Sequence, residues 1–528
     1  MRATLPLLLA GLLAGPLAGC TLDPDFQSPE ATRLDAYNQA LRTRGVIMES
    51  RPDPRWWSEF HDPVLDSLVT RTVAGNLTLQ QSVQRVVQAR QGEATARAAG
   101  LPSLGGSGSY TRQQLGLRGL LESRGAFGAA NGLRGNQTLE NADPGLSNRA
   151  ADSLSNGLNA LTRPINLFQA GFDAEWELDL FGRIRRGQEQ AGAQTEAAIE
   201  SSNDALVTLI GEVVQTYSGL RAAQALARAQ ETNIGAARNL LALTQRRQRD
   251  GLSPQIDVEN QRAQLTSYEA QLQPFAAQAQ QAMNRLAVLM GRPPGMLDDE
   301  LGPPRPIPPA PPRLPVGVPS ELARRRPDIR RAEATLHAAT AGIGVAVAQF
   351  YPSVSLTGNL GLRGTEISAL SSWANHFYSA GPTVSLPIFQ GGRLTANLAL
   401  ARSQQVEAAL AYRAVVLGAL GEVEDSLVAY RTDQTQRDKL RQTVASTRTV
   451  LTLARDRYDN GLGSFIEVLD AQRSLVGAQQ AEIRATLSVT NDVISLYKAL
   501  GGGWSPEDWT ALAEASAPSR TPLPILRP

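Results

Sequence analysis

Residues 183–250 and 393–460 are two stretches of 68 residues without a proline, and they constrain the fold more than any motif does. In the first, Leu206, Ile210, Val213, Tyr217 and Leu220 recur at i, i+4, i+7, i+11 and i+14. Adding 210 to each number gives Val416, Leu420, Val423, Leu427 and Tyr430, again all apolar. Each stretch breaks at a glycine, Gly251 or Gly461, which also lie 210 apart. The chain therefore carries an internal duplication. A seam averaging about 3.5 residues predicts coiled-coil packing. At about 1.5 Å per residue each helix would run roughly 100 Å, too long for a compact domain of this size.

Each long helix is preceded by strand-like sequence. From Phe168 to Leu180, apolar Phe168, Ala170, Phe172, Ala174, Trp176, Leu178 and Leu180 alternate with Gln169, Gly171, Asp173, Glu175, Glu177 and Asp179. Period two makes a strand with one apolar face and one polar face. A soluble sandwich is the commoner home for such a strand. Its length instead suits a bilayer, which needs about 9–11 residues against about 5–6 in a usual strand. Ser103 to Gln114 is a weaker candidate, rich in Gly and Ser. The second half repeats the plan, with alternation over residues 353–362 and 378–388. Leu101-Pro102 and Tyr351-Pro352 stop the preceding helices, because proline drives its predecessor out of the α region.

The charge balance of 51 basic to 50 acidic residues gives a net +1, so no global field favours nucleic acid. After the N-terminus no apolar run reaches the 18 residues of a transmembrane helix. Residues 1–19, with Arg2 and the apolar stretch Leu5 to Leu17, read as a secretory signal. Cys20, the only cysteine, follows in Leu17-Ala18-Gly19-Cys20 and can form no intrachain disulfide. This arrangement resembles a bacterial lipobox, which implies a lipid-bearing Cys20. Thr21 stands in place of the aspartate that retains lipoproteins at the inner membrane, which points to the outer one.

The expected order is a lipid-anchored segment over 20–61, its residues 21–55 an irregular extended lead-in, then a first repeat over 62–301. A proline-rich connector over 302–319, a second repeat over 320–500 and a tail over 501–528 complete it. Helical periodicity runs from about residue 62 to 100. Strands are expected near 102–114, 166–180, 352–363 and 377–389. Long helices are expected over 183–250 and 393–460, with turns near 251–254 and 461–464. Residues 115–164, rich in Gly, Asn and Arg without a sustained period, read as a long exposed loop. The connector holds nine prolines in eighteen residues and should be stiff and extended. His61, His337 and His376 are scattered, with no paired metal-ligand spacing and no phosphate-binding glycine loop. Neither catalysis nor a cofactor is expected.

Seven local patterns occur in order. They are Trp56-Trp57-Ser58-Glu59-Phe60 with Asp62-Pro63; Trp176-Glu177-Leu178-Asp179-Leu180-Phe181-Gly182-Arg183; Arg325-Arg326-Pro327-Asp328-Ile329; Phe350-Tyr351-Pro352-Ser353; Leu386-Pro387-Ile388-Phe389; Leu469-Asp470-Ala471-Gln472-Arg473; and Leu496-Tyr497-Lys498-Ala499-Leu500-Gly501-Gly502-Gly503-Trp504. Together they resemble the outer membrane factors of the TolC type, in the lipoprotein branch that serves resistance–nodulation–division (RND) efflux pumps. The resemblance spans nearly the whole mature chain.

The resemblance implies an α+β membrane protein, a homotrimer whose protomers each give four strands to a twelve-stranded outer-membrane β-barrel. A long α-helical coiled-coil tunnel would continue the barrel through the periplasm. Four strands alone cannot close a barrel, and open strand edges are not tolerated in lipid. Phe172 and Trp176 would face lipid, and Asp173 and Glu175 the pore. The implied partners are a periplasmic adaptor, an inner-membrane RND pump and outer-membrane lipid, and the implied role is a passive exit duct for small molecules. The architecture also serves type I protein secretion, but the lipobox and the Ala499–Trp504 ending favour efflux. A lipid-anchored coiled coil without a channel is the alternative class, opposed by the four amphipathic strands.

By the same resemblance Gly251, Leu252, Ser253, Gly461, Leu462 and Ser464 form adaptor-contacting tips. Ile466, Glu467, Asp470 and Arg473 line a periplasmic aperture, and Asp257 ties neighbouring tip helices together. Ile466, Asp470 and Arg473 fall at i, i+4 and i+7 on one helix face, where a plain reading is a local Asp470–Arg473 ion pair. Gly463 departs from family members that carry an arginine there.

Overall fold

The computed structural model describes residues 24–29, 36–47, 53–114 and 116–505, so the expected signal segment and Cys20 lie outside the described residues. The described chain divides into two compact units. One comprises Thr95–Arg186 and Gly344–Ala396; the other comprises Pro24–Ala94, Gly187–Ile343 and the residues from Asn397 onward.

The first unit is built on one antiparallel sheet of β1 (Ser103–Gln113), β2 (Ile165–Leu178), β3 (Ser353–Gly364) and β4 (His376–Ser385), in the order β1-β2-β3-β4. Register places Gly106, Phe172, Leu360 and Tyr378 in one row, and Trp176, Leu356 and Pro382 in another. Directly opposed residues share a face. One face therefore carries Leu104, Tyr110, Phe168, Phe172, Trp176, Leu356, Leu360, Tyr378 and Val384, most of them exposed in the protomer. The outer edges of β1 and β4 have no strand partner within the described chain.

Both long strands end earlier than alternation alone predicts. β2 stops at Leu178 because Asp179 turns away to accept hydrogen bonds from the Ile184 and Arg185 amides, at 3.1 and 2.8 Å. Its carboxylate satisfies donors that the next helix leaves open. β4 stops at Ser385, short of Pro387, which has no N–H for a ladder.

Residues 117–162 are not the expected loop. They form four helices, Leu117–Ser123, Ala126–Gly132, Gln137–Ala142 and Leu146–Thr162. Gly116, Gly125 and Gly145 each adopt positive φ at a helix start, and the first three pieces, of 7, 7 and 6 residues, are too short to show a period. The last piece does carry one, in Leu146, Ala150, Leu154 and Leu158. Ala130 and Ala151 are fully buried, the Glu140 carboxylate accepts from the Gly145 amide and the Ser147 hydroxyl, and Arg134 pairs with Asp152.

The second unit is helical. α1 (Pro63–Gly75) is capped by Asp62, which accepts from the Val64 amide at 3.0 Å. α2 (Leu77–Ala98) follows after a break at Asn76 where the sequence reads as continuous. The Asn76 amide nitrogen donates to the Leu289 carbonyl at 2.7 Å, and its oxygen accepts from Leu79 N–H at 2.8 Å. A tertiary contact 213 residues away thus sets the break. α3 (Arg183–Arg249) and α6 (Arg393–Asp459) are 67 residues each, α4 (Gln255–Leu289) and α7 (Phe465–Ala499) are 35 each, and α5 (Pro327–Ala348) has 22. The α3 stripe Leu206, Ile210, Val213, Tyr217 and Leu220 is buried throughout. On α6, Val423, Leu427 and Tyr430 are buried, with Val416 and Leu420 half-buried against the same core.

Three of the sequence patterns meet in that core. Trp56 stacks on Tyr497 with ring centroids 5.1 Å apart, and the Tyr497 hydroxyl donates to Glu59 at 2.5 Å. Arg326 is buried, bonded twice to Asp328 and once each to Glu422 and the Ala499 carbonyl. Trp504 Nε1 donates to the Arg325 carbonyl at 2.9 Å, so Gly501–Trp504 is packed and not part of a loose tail. The connector is also held. Leu314–Pro315 pairs in parallel with Val46–Ile47, and buried Arg221 donates to the Leu301 and Pro303 carbonyls. Pro319 begins the short helix Pro319–Arg325, at the one position where a helix tolerates proline well. Tyr37 and Ala40 are buried in the core, so the N-terminal segment is not wholly an extended lead-in.

Candidate functional site

Two regions could do more than hold the fold. The first is the polar face of the sheet. Register sets Ser103, Glu175, Thr357 and Gly381 in one row, and Gly105, Asp173, Asn359 and Ser379 in the next. The Ser107 hydroxyl donates to Asp173 at 2.9 Å, and Arg183 pairs with Glu177 at 2.5 Å. A sheet with one continuous apolar face and one acidic, hydroxyl-rich face is suited to separate hydrocarbon from water. Where the strands join the helices, Phe181 stacks on Tyr351 at 5.0 Å and Trp176 Nε1 donates to the Gly100 carbonyl at 3.0 Å. The patterns around 176–183 and 350–353 thus serve this junction.

The second is the pair of helix turns. Gly251 and Gly461 have φ of 74° and 72°. Around the first, Leu252 N–H bonds to the Arg247 carbonyl at 2.7 Å and Gly251 N–H to Gln248 at 3.1 Å. Around the second, Leu462 N–H bonds to Arg457 at 2.8 Å and Gly461 N–H to Tyr458 at 3.0 Å. These are two copies of one glycine-terminated helix cap. The returning helices start differently. Ser464 forms a reciprocal capping box with Glu467, whereas Pro254 offers no side-chain cap to α4.

What joins the turns is a cluster around Tyr458. Its hydroxyl lies 2.8 Å from Ser253 Oγ, its ring packs edge-on against Phe465 at 5.7 Å, and the Arg247 guanidinium sits 4.5 Å above it. Burial pushes the Asp257 carboxyl up, and a hydrogen bond from Ser253, itself bonded to Tyr458, partly offsets this.

Ile466 and Asp470 are exposed on α7, one turn apart. The Asp470–Arg473 pair is loose, at 3.9 Å, because Arg473 Nε instead donates to Gln264 on α4 at 2.6 Å. Glu467 is occupied by its capping box. A side chain at Gly463 would meet the Arg457 Cβ at 3.1 Å and the Glu467 Oε2 at 3.2 Å, so the missing arginine has little room there.

Tyr458, Arg247, Gln264 and Ile256 escape sequence reasoning. The 210-residue offset maps Ile466 onto Ile256 and Arg457 onto Arg247, which is a usable signal. Tyr458 maps onto Gln248 and carries none. The four apolar tip residues Leu252, Ile256, Leu462 and Ile466 are 67%, 65%, 72% and 58% exposed.

The sequence matches the family described as outer membrane efflux protein over residues 68–292 and 318–502. It is 32% identical to a solvent efflux pump outer membrane protein, SrpC of Pseudomonas putida, over 93% of this chain and 96% of that protein. It is 31% identical to the outer membrane protein OprJ of Pseudomonas aeruginosa, over 93% and 95%. Among solved structures it is similar to the outer-membrane channel OprN, with a TM-score of 0.79 and 31% identity over 92% of this chain and 100% of that one.

Proposed function

The chain belongs to the outer membrane efflux protein family, and on that premise we propose that three copies form the exit duct of a tripartite efflux system. It is an outer-membrane efflux channel extending into the periplasm. The observation that carries the trimer is the sheet, which has four strands, two faces of opposite character and an open edge on β1 and on β4. Joining the β4 edge of one copy to the β1 edge of the next removes every open edge at twelve strands and leaves a polar lumen.

The two returning helix pairs of each protomer would then continue the duct towards the pump. The exposed tips, with Gly251, Leu252 and Ser253 on one and Gly461, Leu462 and Ser464 on the other, would receive the hairpins of a periplasmic adaptor. An RND pump would supply the energy. Ile466 and Asp470 would ring the aperture, with Arg473 and Asp257 restraining it from behind through Gln264 and Ser253. Cys20 would carry the lipid that adds a second attachment to the barrel. Relatives named for solvent and antibiotic efflux suggest small toxic compounds as cargo.

The test is conductance of purified trimers in planar bilayers. Discrete unitary currents are expected, and a trimer that inserts without conducting would leave only a structural role.

A further inference from the structure

Arg363 is the only basic residue on the polar face of the four strands, which otherwise carries Asp173, Glu175 and Glu177 and neutral side chains. It is held in place there. Its guanidinium lies 4.5 Å over the Phe377 ring, and its Nε donates to Gln169 Oε1 at 3.1 Å. Phe377, the one aromatic on this face, can lie there because Gly361 has no side chain. A Cβ at Gly361 would come within 2.9 Å of the ring. Gly361 pairs directly with Gly171, where a Cβ would meet the Leu360 carbonyl at 2.7 Å. Two glycines, an aromatic shelf and an amide thus present one guanidinium.

Its level in the sheet follows from the connections. Long helices attach at the end of β2 and after β4, whereas Arg363 lies one residue before the opposite end of β3, beside the β3–β4 connection. Asp173 pairs with Asn359, four residues along β3 from Arg363. That is about 13 Å at about 3.3 Å per residue, beyond the screening length of about 8 Å at physiological salt. The acidic rows and the arginine therefore act as separate zones.

We propose that Arg363 is a selectivity residue of the duct, a charged ring at its outer mouth that opposes the entry of cationic solutes from the medium. This rests on the trimeric channel reading, in which three guanidiniums stand at one level of the lumen. The acidic rows nearer the helices favour cations inside the barrel, and the arginine ring is the outermost charge on the polar face of the strands. Phe377 and Gln169 are its positioning residues.

The test is the potassium-to-chloride permeability ratio of trimers from their reversal potential in a KCl gradient, with spermine block from each side. Arg363→Gln should raise the ratio about twofold and Arg363→Glu further, with Arg363→Lys near wild type. Spermine added on the barrel side should block Arg363→Gln more strongly than wild type, while block from the helix side changes little. Ser109→Lys, in the same row, should lower the ratio. A wild-type trimer without conductance would overturn the channel reading and this inference with it. A conducting Arg363→Gln trimer with unchanged ratio and unchanged spermine block would overturn the selectivity role alone.

Discussion

The hydroxyls of Ser253 and Tyr458 lie 2.8 Å apart, joining the turn of one repeat to the last helical turn of the other. Arg247 Nη1 adds a second tie by donating to the Asp459 carbonyl at 3.4 Å, and a hydrogen bond from Ser253 links Asp257 to the hydroxyl pair. Tyr458→Phe and Ser253→Ala each delete this bond, with an expected cost of about 0.5–1.5 kcal/mol to the junction of the two turns. Both variants should raise trimer conductance by a similar factor. Because the two share one bond, the double variant should gain little over either single one. Additive gains would mean that the hydroxyls act separately.

Ile466 and Asp470 stand exposed one turn apart, with Arg473 turned towards Gln264. In the proposed trimer three Asp470 carboxylates around one axis would repel, so packing would have to hold the proposed aperture shut. Ile466→Ala with Asp470→Asn is expected to increase conductance in planar bilayers and make cells leakier to large antibiotics, with trimer yield unchanged. A double variant that conducts like wild type at matched salt would place the aperture elsewhere.

Arg326 is buried among Asp328, Glu422 and the Ala499 carbonyl. Burial pushes the Asp328 carboxyl up, but the Arg326 guanidinium outweighs it and holds that carboxyl below its ordinary value. Arg326→Ala leaves Asp328 without its partner and should cost about 3–5 kcal/mol. Thermal unfolding followed by circular dichroism should show a clear drop in midpoint. Arg118→Ala, which removes an exposed pair with Glu122, should change it little.

Burial, followed by the neighbouring Asp433 carboxylate, pushes the Asp492 carboxyl up to about 7. The folded chain then holds a proton that the unfolded chain releases near pH 4. The stabilisation is complete below that pH and is lost as pH rises through about 7. Unfolding midpoints should fall between about pH 4 and 7 in wild type and level off above, and Asp492→Asn should flatten the fall. A variant with the wild-type slope would assign the pH dependence to other groups.

Much of the architecture is local and therefore legible in the sequence. A stripe such as Leu206 to Leu220 repeats within one helix, and Phe168 to Leu178 alternates within one strand, because side-chain direction depends only on backbone period. The 210-residue offset carried this reading from one half of the chain to the other, including both glycine caps. Residues 117–142 were illegible for an equally local reason, since turns with positive-φ glycines divide them into helices of 7, 7 and 6 residues, too short to reveal a period, whereas the period of Leu146–Thr162 was there to be read.

Tertiary structure alone decided what depends on distant partners. The break at Asn76 needs the Leu289 carbonyl, and the turn of Arg473 away from Asp470 needs Gln264. The cluster at the tips needs Tyr458, whose counterpart in the other repeat is Gln248. The outer arginine became visible only when register laid Phe377 over Gly361 and Gln169 beside Arg363. Periodicity fixes which face a residue occupies. Which residue from elsewhere in the chain meets it there depends on how strands and helices align in space, and no single segment encodes that.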